Sequence, residues 1–150
     1  MTQKLAPINE EAGLNDVVWN VVGQTYRPQI LTENVFYWRG VAPADTFVPP
    51  HIHPTQDEWL TVLDGELEVE FPESETHVVL KKGDTVFMPK GIAHGIFNRS
   101  GKEANVYFGV APARKLYDLF VQLDGLTDPE ELVRISAEHE VDFLPAPPNA

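Results

Sequence analysis

Histidine and carboxylate residues near the middle of the chain have the types and spacing of metal ligands. His51 and His53 are two residues apart, so both rings face the same side if this segment is a strand. Glu58 follows them, and His94 comes later, directly after a turn-forming segment. Three imidazoles and one carboxylate suit a single divalent transition metal such as Fe, Mn, Ni, Co, Cu or Zn. The spacing alone is equally compatible with histidines at the surface or histidines bonded to other protein groups.

Periodicity does not decide which carboxylate belongs to this set. On a strand that runs straight on from His53, Asp57 faces inward with the histidines and Glu58 faces away. Pro54 interrupts strand pairing, so a turn over residues 54–57 can reset the alternation and return Glu58 to the inner face. The residue pattern therefore leaves Asp57 and Glu58 as alternatives.

Composition argues against several other classes of function. The 150-residue chain has 23 acidic and 11 basic residues, a formal net charge of −12, which disfavours nucleic-acid binding. It has no cysteine, so disulfides, cysteine-zinc sites and thiol chemistry are excluded. No apolar run reaches the ~18 residues of a membrane span, and residues 1–11 lack the pattern of a secretory signal. We therefore expect a cytoplasmic protein without a membrane partner.

Short β-strands dominate the predicted secondary structure. Runs rich in Val, Ile, Phe, Tyr and Trp alternate with turn residues, which is typical of a sandwich or closed barrel. Asp64-Gly65 lies between two apolar runs and predicts a hairpin turn. The candidate strands are residues 17–22, 34–41, 59–63, 66–71, 77–80, 85–88, 94–98 and 104–110.

Helical spacing replaces strand alternation after residue 112. Apolar residues recur at helical intervals at Leu116, Leu119, Phe120 and Leu123. The sequence Asp128-Pro129-Glu130 predicts the start of a second helix that continues to about His139. The predicted organisation is an N-terminal arm over residues 1–16, a β-barrel over 17–112, and two helices with an extended Pro-rich tail over 113–150.

The segment that contains His51 resembles the first motif of the cupin superfamily. His51-Ile52-His53 is followed after four residues by Glu58 and after six more by Gly65. One position departs from this motif, because Asp45 stands where the family usually has a glycine. That glycine shapes the backbone and is not a ligand, so the departure leaves the metal site intact.

The segment that contains His94 resembles the second cupin motif. Gly83 is followed after five residues by Pro89-Lys90-Gly91, after two more by His94 and after a further three by Asn98. The resemblance covers about residues 30–148. It implies an all-β fold, the double-stranded β-helix or jelly-roll barrel of cupins, with two C-terminal helices packed against the barrel.

The resemblance also implies a ligand set and a function. The implied metal ligands are His51, His53, Glu58 and His94, so Glu58 is preferred over Asp57. The C-terminal helices look like those of small single-domain bacterial cupins that are called quercetin-dioxygenase-like. The expected function is a metal-dependent dioxygenase acting on a small aromatic or enol-bearing molecule, with Glu58 also acting as a base toward the substrate hydroxyl. The alternatives are a metal- or small-molecule-binding protein without turnover, and an oxygen-independent isomerase or lyase.

Aromatic residues on the predicted strands are candidates for a substrate pocket, with ordinary barrel core as the alternative for each. The candidates are Phe36, Trp38, Phe47 and Phe87. Phe36 and Trp38 have the same parity on one strand, so they should share a face. The resemblance further implies a homodimer, because small cupins commonly pair through sheet edges.

Overall fold

The computed structural model of the chain describes Gln3 and residues 5–145. These residues form eleven β-strands and two α-helices, joined by turns and two short 3-10 segments. The strands are β1 (Trp19–Val21), β2 (Gln24–Leu31), β3 (Phe36–Ala42), β4 (Phe47–Ile52), β5 (Asp57–Asp64), β6 (Glu66–Phe71), β7 (Thr76–Lys81), β8 (Thr85–Met88), β9 (His94–Phe97), β10 (Ala104–Ala111) and β11 (Asp142–Phe143). The helices are α1 (Leu116–Leu123) and α2 (Pro129–Glu138).

The strands form two antiparallel sheets whose apolar faces meet. The order is β1-β2-β3-β10-β5-β8 in one sheet and β11-β4-β9-β6-β7 in the other. Non-consecutive strands therefore lie side by side, as in a jelly roll. The predicted all-β jelly-roll fold with two C-terminal helices is confirmed.

Aromatic rings from neighbouring strands fill the space between the sheets. Phe36 and Trp38 on β3 and Phe108 on β10 are fully buried. The Trp38 ring stacks against Phe36 at 4.7 Å and against Phe108 at 5.1 Å between centroids. Each such ring removes roughly 150–250 Å² from water, so this stack is a major source of hydrophobic stabilisation for the barrel.

The predicted strands correspond to β1, β3 and β5–β10, with ends shifted by at most two residues. Strands β2, β4 and β11 were not predicted. Pro28 lies within β2 and lacks a backbone donor, and the register of β2 with β3 shifts between Pro28 and Ile30 to accommodate it. The two residues of β11 are strand only because they pair with β4, which is a tertiary contact invisible to local sequence patterns.

The predicted hairpin at Asp64-Gly65 is wrong, although the chain does turn there. Strands β5 and β6 belong to different sheets, so the chain crosses between the sheets at Gly65 and does not fold back on itself. Gly65 has a φ of 85°, and a Cβ at this position would lie 2.7 Å from the Glu103 carbonyl oxygen. Only glycine tolerates both conditions, so this residue builds the corner between the two sheets.

The C-terminal segment covers one end of the barrel. The face of α1 that carries the four predicted apolar residues is buried. Helix α2 begins at Pro129 as predicted, and the Asp128 carboxylate accepts a hydrogen bond from the Glu130 amide at 3.0 Å. Strand β11 then returns to pair with β4. Most of the predicted Pro-rich tail, residues 146–150, lies outside the described residues.

The N-terminal arm lies along the barrel over its described part. Leu14 is fully buried, and Arg39 on β3 bonds to the Glu11 carboxylate at 3.1 Å. Met1, Thr2 and Lys4 lie outside the described residues. Among the helices of the described chain, neither is long and apolar enough to cross a lipid bilayer.

Candidate metal centre

Four side chains from both sheets converge on one point inside the barrel. His51 lies on β4, His94 on β9 and Glu58 on β5, while His53 directly follows β4. All four are buried, and one ligand atom from each lies within 4.8 Å of the others. His51 and His94 are cross-strand partners, so sheet pairing itself brings these two rings together.

The turn after β4 decides between the two carboxylates. Strand β4 ends at Ile52 and β5 begins at Asp57, so the residues around Pro54 are not in a strand and the alternation restarts. Glu58 is then buried with the histidines. Asp57 points elsewhere, and its carboxylate accepts a hydrogen bond from the Lys90 amide at 2.9 Å.

Hydrogen bonds behind two of the rings determine which nitrogen faces the cluster. Nδ1 of His51 lies 2.8 Å from the Pro49 carbonyl oxygen, which can only accept, so Nδ1 carries the proton. Nδ1 of His53 lies 2.9 Å from Oε1 of Gln56. In both residues Nε2 is therefore the atom available to a metal.

His94 and Glu58 present buried polar atoms that have no hydrogen-bond partner in the described part of the chain. Nε2 of His94 lies 2.9 Å from Oε1 of Glu58, but the two groups are not aligned for a hydrogen bond. Leaving such a buried atom unpaired costs about 1–3 kcal/mol. A divalent cation would satisfy both atoms at once, so the donor set fits a metal site.

Burial and mutual proximity keep two of the candidate ligands, His51 and Glu58, in protonation states that suit a metal. Burial lowers the pKa of His51 well below its usual 6.5, and the neighbouring His94 and His53 lower it further. Burial raises the pKa of Glu58, but interactions with His53 and His94 outweigh it and bring the pKa below the usual 4.5. At neutral pH the site therefore offers a neutral His51 and an ionised Glu58.

Part of the cluster lines a mainly apolar cavity that residues of the C-terminal segment also line. The polar part of the cavity wall includes His51, His53 and Glu58. Most of the other residues that line the cavity are aliphatic or aromatic and come from both sheets and α1. Ser136 of α2 also lines the cavity, and its buried hydroxyl has no hydrogen-bond partner among residues 5–145. The cavity has a volume of about 50 Å³, which is room for a few waters.

Comparisons with known proteins agree with this geometry. Residues 38–110, which include all four candidate ligands, match the family model described as "Cupin domain". The fold is that of the cupins. An RmlC-like cupin from Shewanella frigidimarina superimposes with a TM-score of 0.66 at 18% identity, over 78% of this chain and 99% of that one. KdgF from a Halomonas species superimposes with a TM-score of 0.61 at 21% identity, over 69% of this chain and 93% of that one.

Proteins of similar sequence occur in plants and bacteria. "Putative germin-like protein 9-2" of Oryza sativa is 36% identical over 80 residues, which cover 51% of this chain and 37% of the relative. "Uncharacterized protein YdbB" of Bacillus subtilis is 48% identical over 44 residues, which cover 29% of this chain and 38% of the relative. The chain spans less than half the length of these curated relatives, so the similarity concerns only a part of each.

The four aromatic residues considered for a pocket occupy different positions in the cupin barrel. Trp38 lines the cavity beside the cluster. Phe36 shares its face, as predicted, but contributes to the core and not to the cavity wall formed by the described residues. Phe47 and Phe87 are 50% and 56% exposed, so the prediction that they line the cavity is corrected.

Strand geometry explains both corrections. On β8, Met88 pairs with Glu58 and is buried, so the preceding Phe87 faces outward. On β4, the register with β9 shifts between Val48 and His51, which reverses the alternation along the strand. Val48 therefore lines the cavity with His51, and Phe47 stacks on the outer surface against Phe97.

Two functional candidates were missed by reasoning from sequence. Gln56 is buried behind His53, where its amide bonds to the ring. Ser136 was overlooked because its position over the cavity depends on how α2 packs. For Gln56, a signal was present, since it stands between two candidate ligands in the first motif.

A second group of potential ligands lies on the outer surface of the cupin barrel. Glu68, Glu70 and His77 approach one another on β6 and β7, and His77 is exposed. The Arg99 guanidinium lies 3.0 Å from the Glu68 carboxylate and 2.7 Å from that of Glu70. Arg99 already balances these charges, so the group is a surface ion-pair network.

Proposed function

We propose that this cupin is a metal-dependent oxygenase that acts on a small, mainly apolar molecule carrying an enol or phenol oxygen. The observation that carries the proposal is the convergence of three buried histidines and Glu58, of which His51, His53 and Glu58 line a mainly apolar cavity. Three neutral imidazoles and one carboxylate leave a divalent ion with a net positive charge, which favours an anionic substrate oxygen. The resemblance of the C-terminal helices to those of small cupins called quercetin-dioxygenase-like supports the same reaction class.

His51, His53, Glu58 and His94 are the residues that would hold the ion. When bound, a divalent ion supplies Lewis acidity toward a substrate oxygen, and a redox-active ion also gives access to dioxygen chemistry. Glu58 is the proposed base, because its carboxylate is ionised at neutral pH and can accept the substrate hydroxyl proton. The apolar walls exclude water and orient the substrate skeleton.

The cavity limits the size of the substrate. Pockets for drug-sized molecules have volumes of about 300–1,000 Å³, whereas this cavity has about 50 Å³. We therefore propose a substrate smaller than a flavonol, admitted by movement of the C-terminal segment. The unpaired Ser136 hydroxyl is the proposed partner for a second polar group on that substrate.

Oxygen uptake tests this function. Metal-free protein is reloaded separately with Fe(II), Mn(II), Co(II), Ni(II), Cu(II) or Zn(II), and an oxygen electrode follows uptake with catechol, acetylacetone and 3-hydroxy-4-pyranone. We expect substrate-dependent uptake with at least one redox-active metal and none with Zn(II). His77→Ala, in the surface ion-pair network, is the matched control and should behave as the parent does.

Two outcomes would contradict the oxygenase proposal in favour of the alternatives. Product formation without oxygen, at an equal rate with Zn(II), would indicate an isomerase or lyase. A ligand-induced rise in melting temperature with no product for any metal would indicate a binding protein.

A further inference from the structure

Gln56 is a buried amide that connects a candidate ligand to the backbone before α1. Its side chain is 2% exposed. Oε1 lies 2.9 Å from Nδ1 of His53, and Nε2 lies 3.0 Å from the carbonyl oxygen of Pro112 and 2.7 Å from that of Ala113. The amide therefore connects His53, in the loop between β4 and β5, to the segment between β10 and α1.

The chemistry of these partners allows one arrangement of protons. Both backbone carbonyls can only accept, so the Gln56 atom facing them is the donating NH₂ group. The other amide atom is then the oxygen, which can only accept, so Nδ1 of His53 carries the ring proton. In the neutral ring Nε2 is left unprotonated, and it lies 3.4 Å from Oε1 of Glu58 on the cluster side.

We propose that Gln56 is a positioning residue that holds His53 in the Nδ1–H tautomer, with Nε2 directed at the metal. This inference rests on the proposed metal-dependent function. The two carbonyls fix the amide, and the amide fixes the ring, so the orientation of His53 is set by the backbone at residues 112 and 113. Loss of a partner that orients a ligating histidine typically weakens metal affinity about 10- to 100-fold.

A purely structural role for Gln56 would be to tie the loop after β4 to the start of α1. Such a role would leave the tautomer of His53 unchanged. It would also leave the contribution of His53 to metal affinity unchanged. The deciding measurements are therefore the position of the ring proton and the dependence of the Gln56 effect on His53.

The tautomer is measured in the metal-free parent by long-range ¹H–¹⁵N NMR of the histidine rings at mildly alkaline pH. Free neutral imidazole in water favours the Nε2–H form, so an Nδ1–H pattern for His53 is diagnostic. We expect Nδ1–H in the parent and loss of that preference in Gln56→Met. An Nε2–H pattern for His53 in the parent would overturn the proposal without any variant being needed.

Affinity for Cu(II), measured against a chromophoric chelator, tests the same role by a double-mutant cycle. We expect Gln56→Met to weaken binding about 10- to 100-fold, and Gln56→Met to add nothing in a His53→Ala background. Gln29→Met is the matched control, because Gln29 is buried but does not line the cavity. Its affinity should equal that of the parent.

The outcomes separate this inference from the proposed function. A parent that binds Cu(II) tightly while Gln56→Met binds equally well would overturn the role of Gln56 alone. If Gln56→Met reduced Cu(II) affinity by the same factor in the parent and in the His53→Ala background, the role of Gln56 alone would also be overturned. A parent without a Cu(II) site would overturn both the metal site and this role.

Discussion

His94 and Glu58 approach each other from opposite sheets of the barrel, with Nε2 and Oε1 2.9 Å apart but not aligned for a hydrogen bond. Each residue is nearly inaccessible to water. The two groups attract each other, which lowers the pKa of Glu58, but both have lost water and neither atom has gained an aligned hydrogen bond. Replacing such a buried pair by well-packed apolar residues is often stabilising. The same pair provides two donors that a cation would satisfy.

Replacing this pair by apolar residues of similar volume should stabilise the metal-free protein. For Glu58→Met/His94→Leu we expect the free energy of unfolding to rise by about 2 kcal/mol, which raises Tm by about 4–8 °C for a chain of this size. Calorimetry with and without Zn(II) should also show that the metal-induced rise in Tm is lost. Leu67→Met, a conservative change elsewhere in the core, should not raise Tm. A lower Tm in the double variant would contradict the unpaired state of these groups.

The two neighbouring carboxylates should differ sharply in their effect on metal binding. Glu58→Gln removes the buried ligand charge, and we expect affinity to fall roughly tenfold or more. Asp57→Asn should retain the metal of the parent, because Asp57 lies outside the cluster and bonds to the Lys90 amide. Elemental analysis of untagged protein and chelator competition measure both. Metal retained by Glu58→Gln but lost from Asp57→Asn would mean that the wrong carboxylate has been assigned.

The four candidate ligands could be predicted from sequence because the two motifs carry them at fixed spacing. Periodicity alone could not choose between Asp57 and Glu58, since the choice depends on where β4 ends. Phe47 was misassigned for a related reason. A register shift in β4 reverses its alternation, and nothing in the local residue pattern indicates that shift.

The cavity was less predictable than the ligands because distant parts of the chain build it. Trp38 was anticipated, but α1, Ser136 and Phe143 reach the cavity only through the packing of the C-terminal segment. Phe143 depends on β11, a two-residue strand defined by its pairing with His51 and Ile52. Local propensity contains no information about such a contact.

The depressed pKa of His51 should make the metal-free protein sensitive to mild acid. Below its ordinary pKa of about 6.5 the unfolded chain binds a proton that folded His51 does not, so stability falls as pH decreases toward the folded pKa. Between about pH 6.5 and 5.5 this amounts to at most about 1.4 kcal/mol. Glu58 makes stability fall with decreasing pH only below its ordinary pKa of 4.5, because its pKa in the folded protein is lower still.

Urea unfolding of metal-free protein at about pH 7.5 and about pH 5.5 measures this loss. His51→Asn should lose less stability over the interval, because asparagine does not titrate and its amide can still donate to the Pro49 carbonyl. Equal losses in the parent and the variant would show that His51 does not contribute to the acid sensitivity.

Glu140, just beyond α2, should control how firmly the C-terminal segment is held against β4 and the loop that follows it. Its carboxylate bonds to the Arg114 guanidinium at 2.7 Å and accepts from the Thr55 hydroxyl in the loop between β4 and β5. Four residues later the Leu144 amide donates to the Pro50 carbonyl at 3.0 Å. Glu140→Ala should speed hydrogen exchange of the Leu144 amide roughly fivefold. This factor corresponds to a loss of about 1 kcal/mol, the net contribution of a typical hydrogen bond to stability.

The matched control for this prediction is Glu138→Ala. Glu138 pairs with Arg134 within α2, and both side chains are more than half exposed, so its loss should leave exchange at Leu144 unchanged. Mass spectrometry of peptides covering residues 140–145 and 49–56 resolves the two variants. Equal acceleration in both would point to general loosening of α2, and no acceleration in Glu140→Ala would mean that β11 stays paired with β4 without this contact.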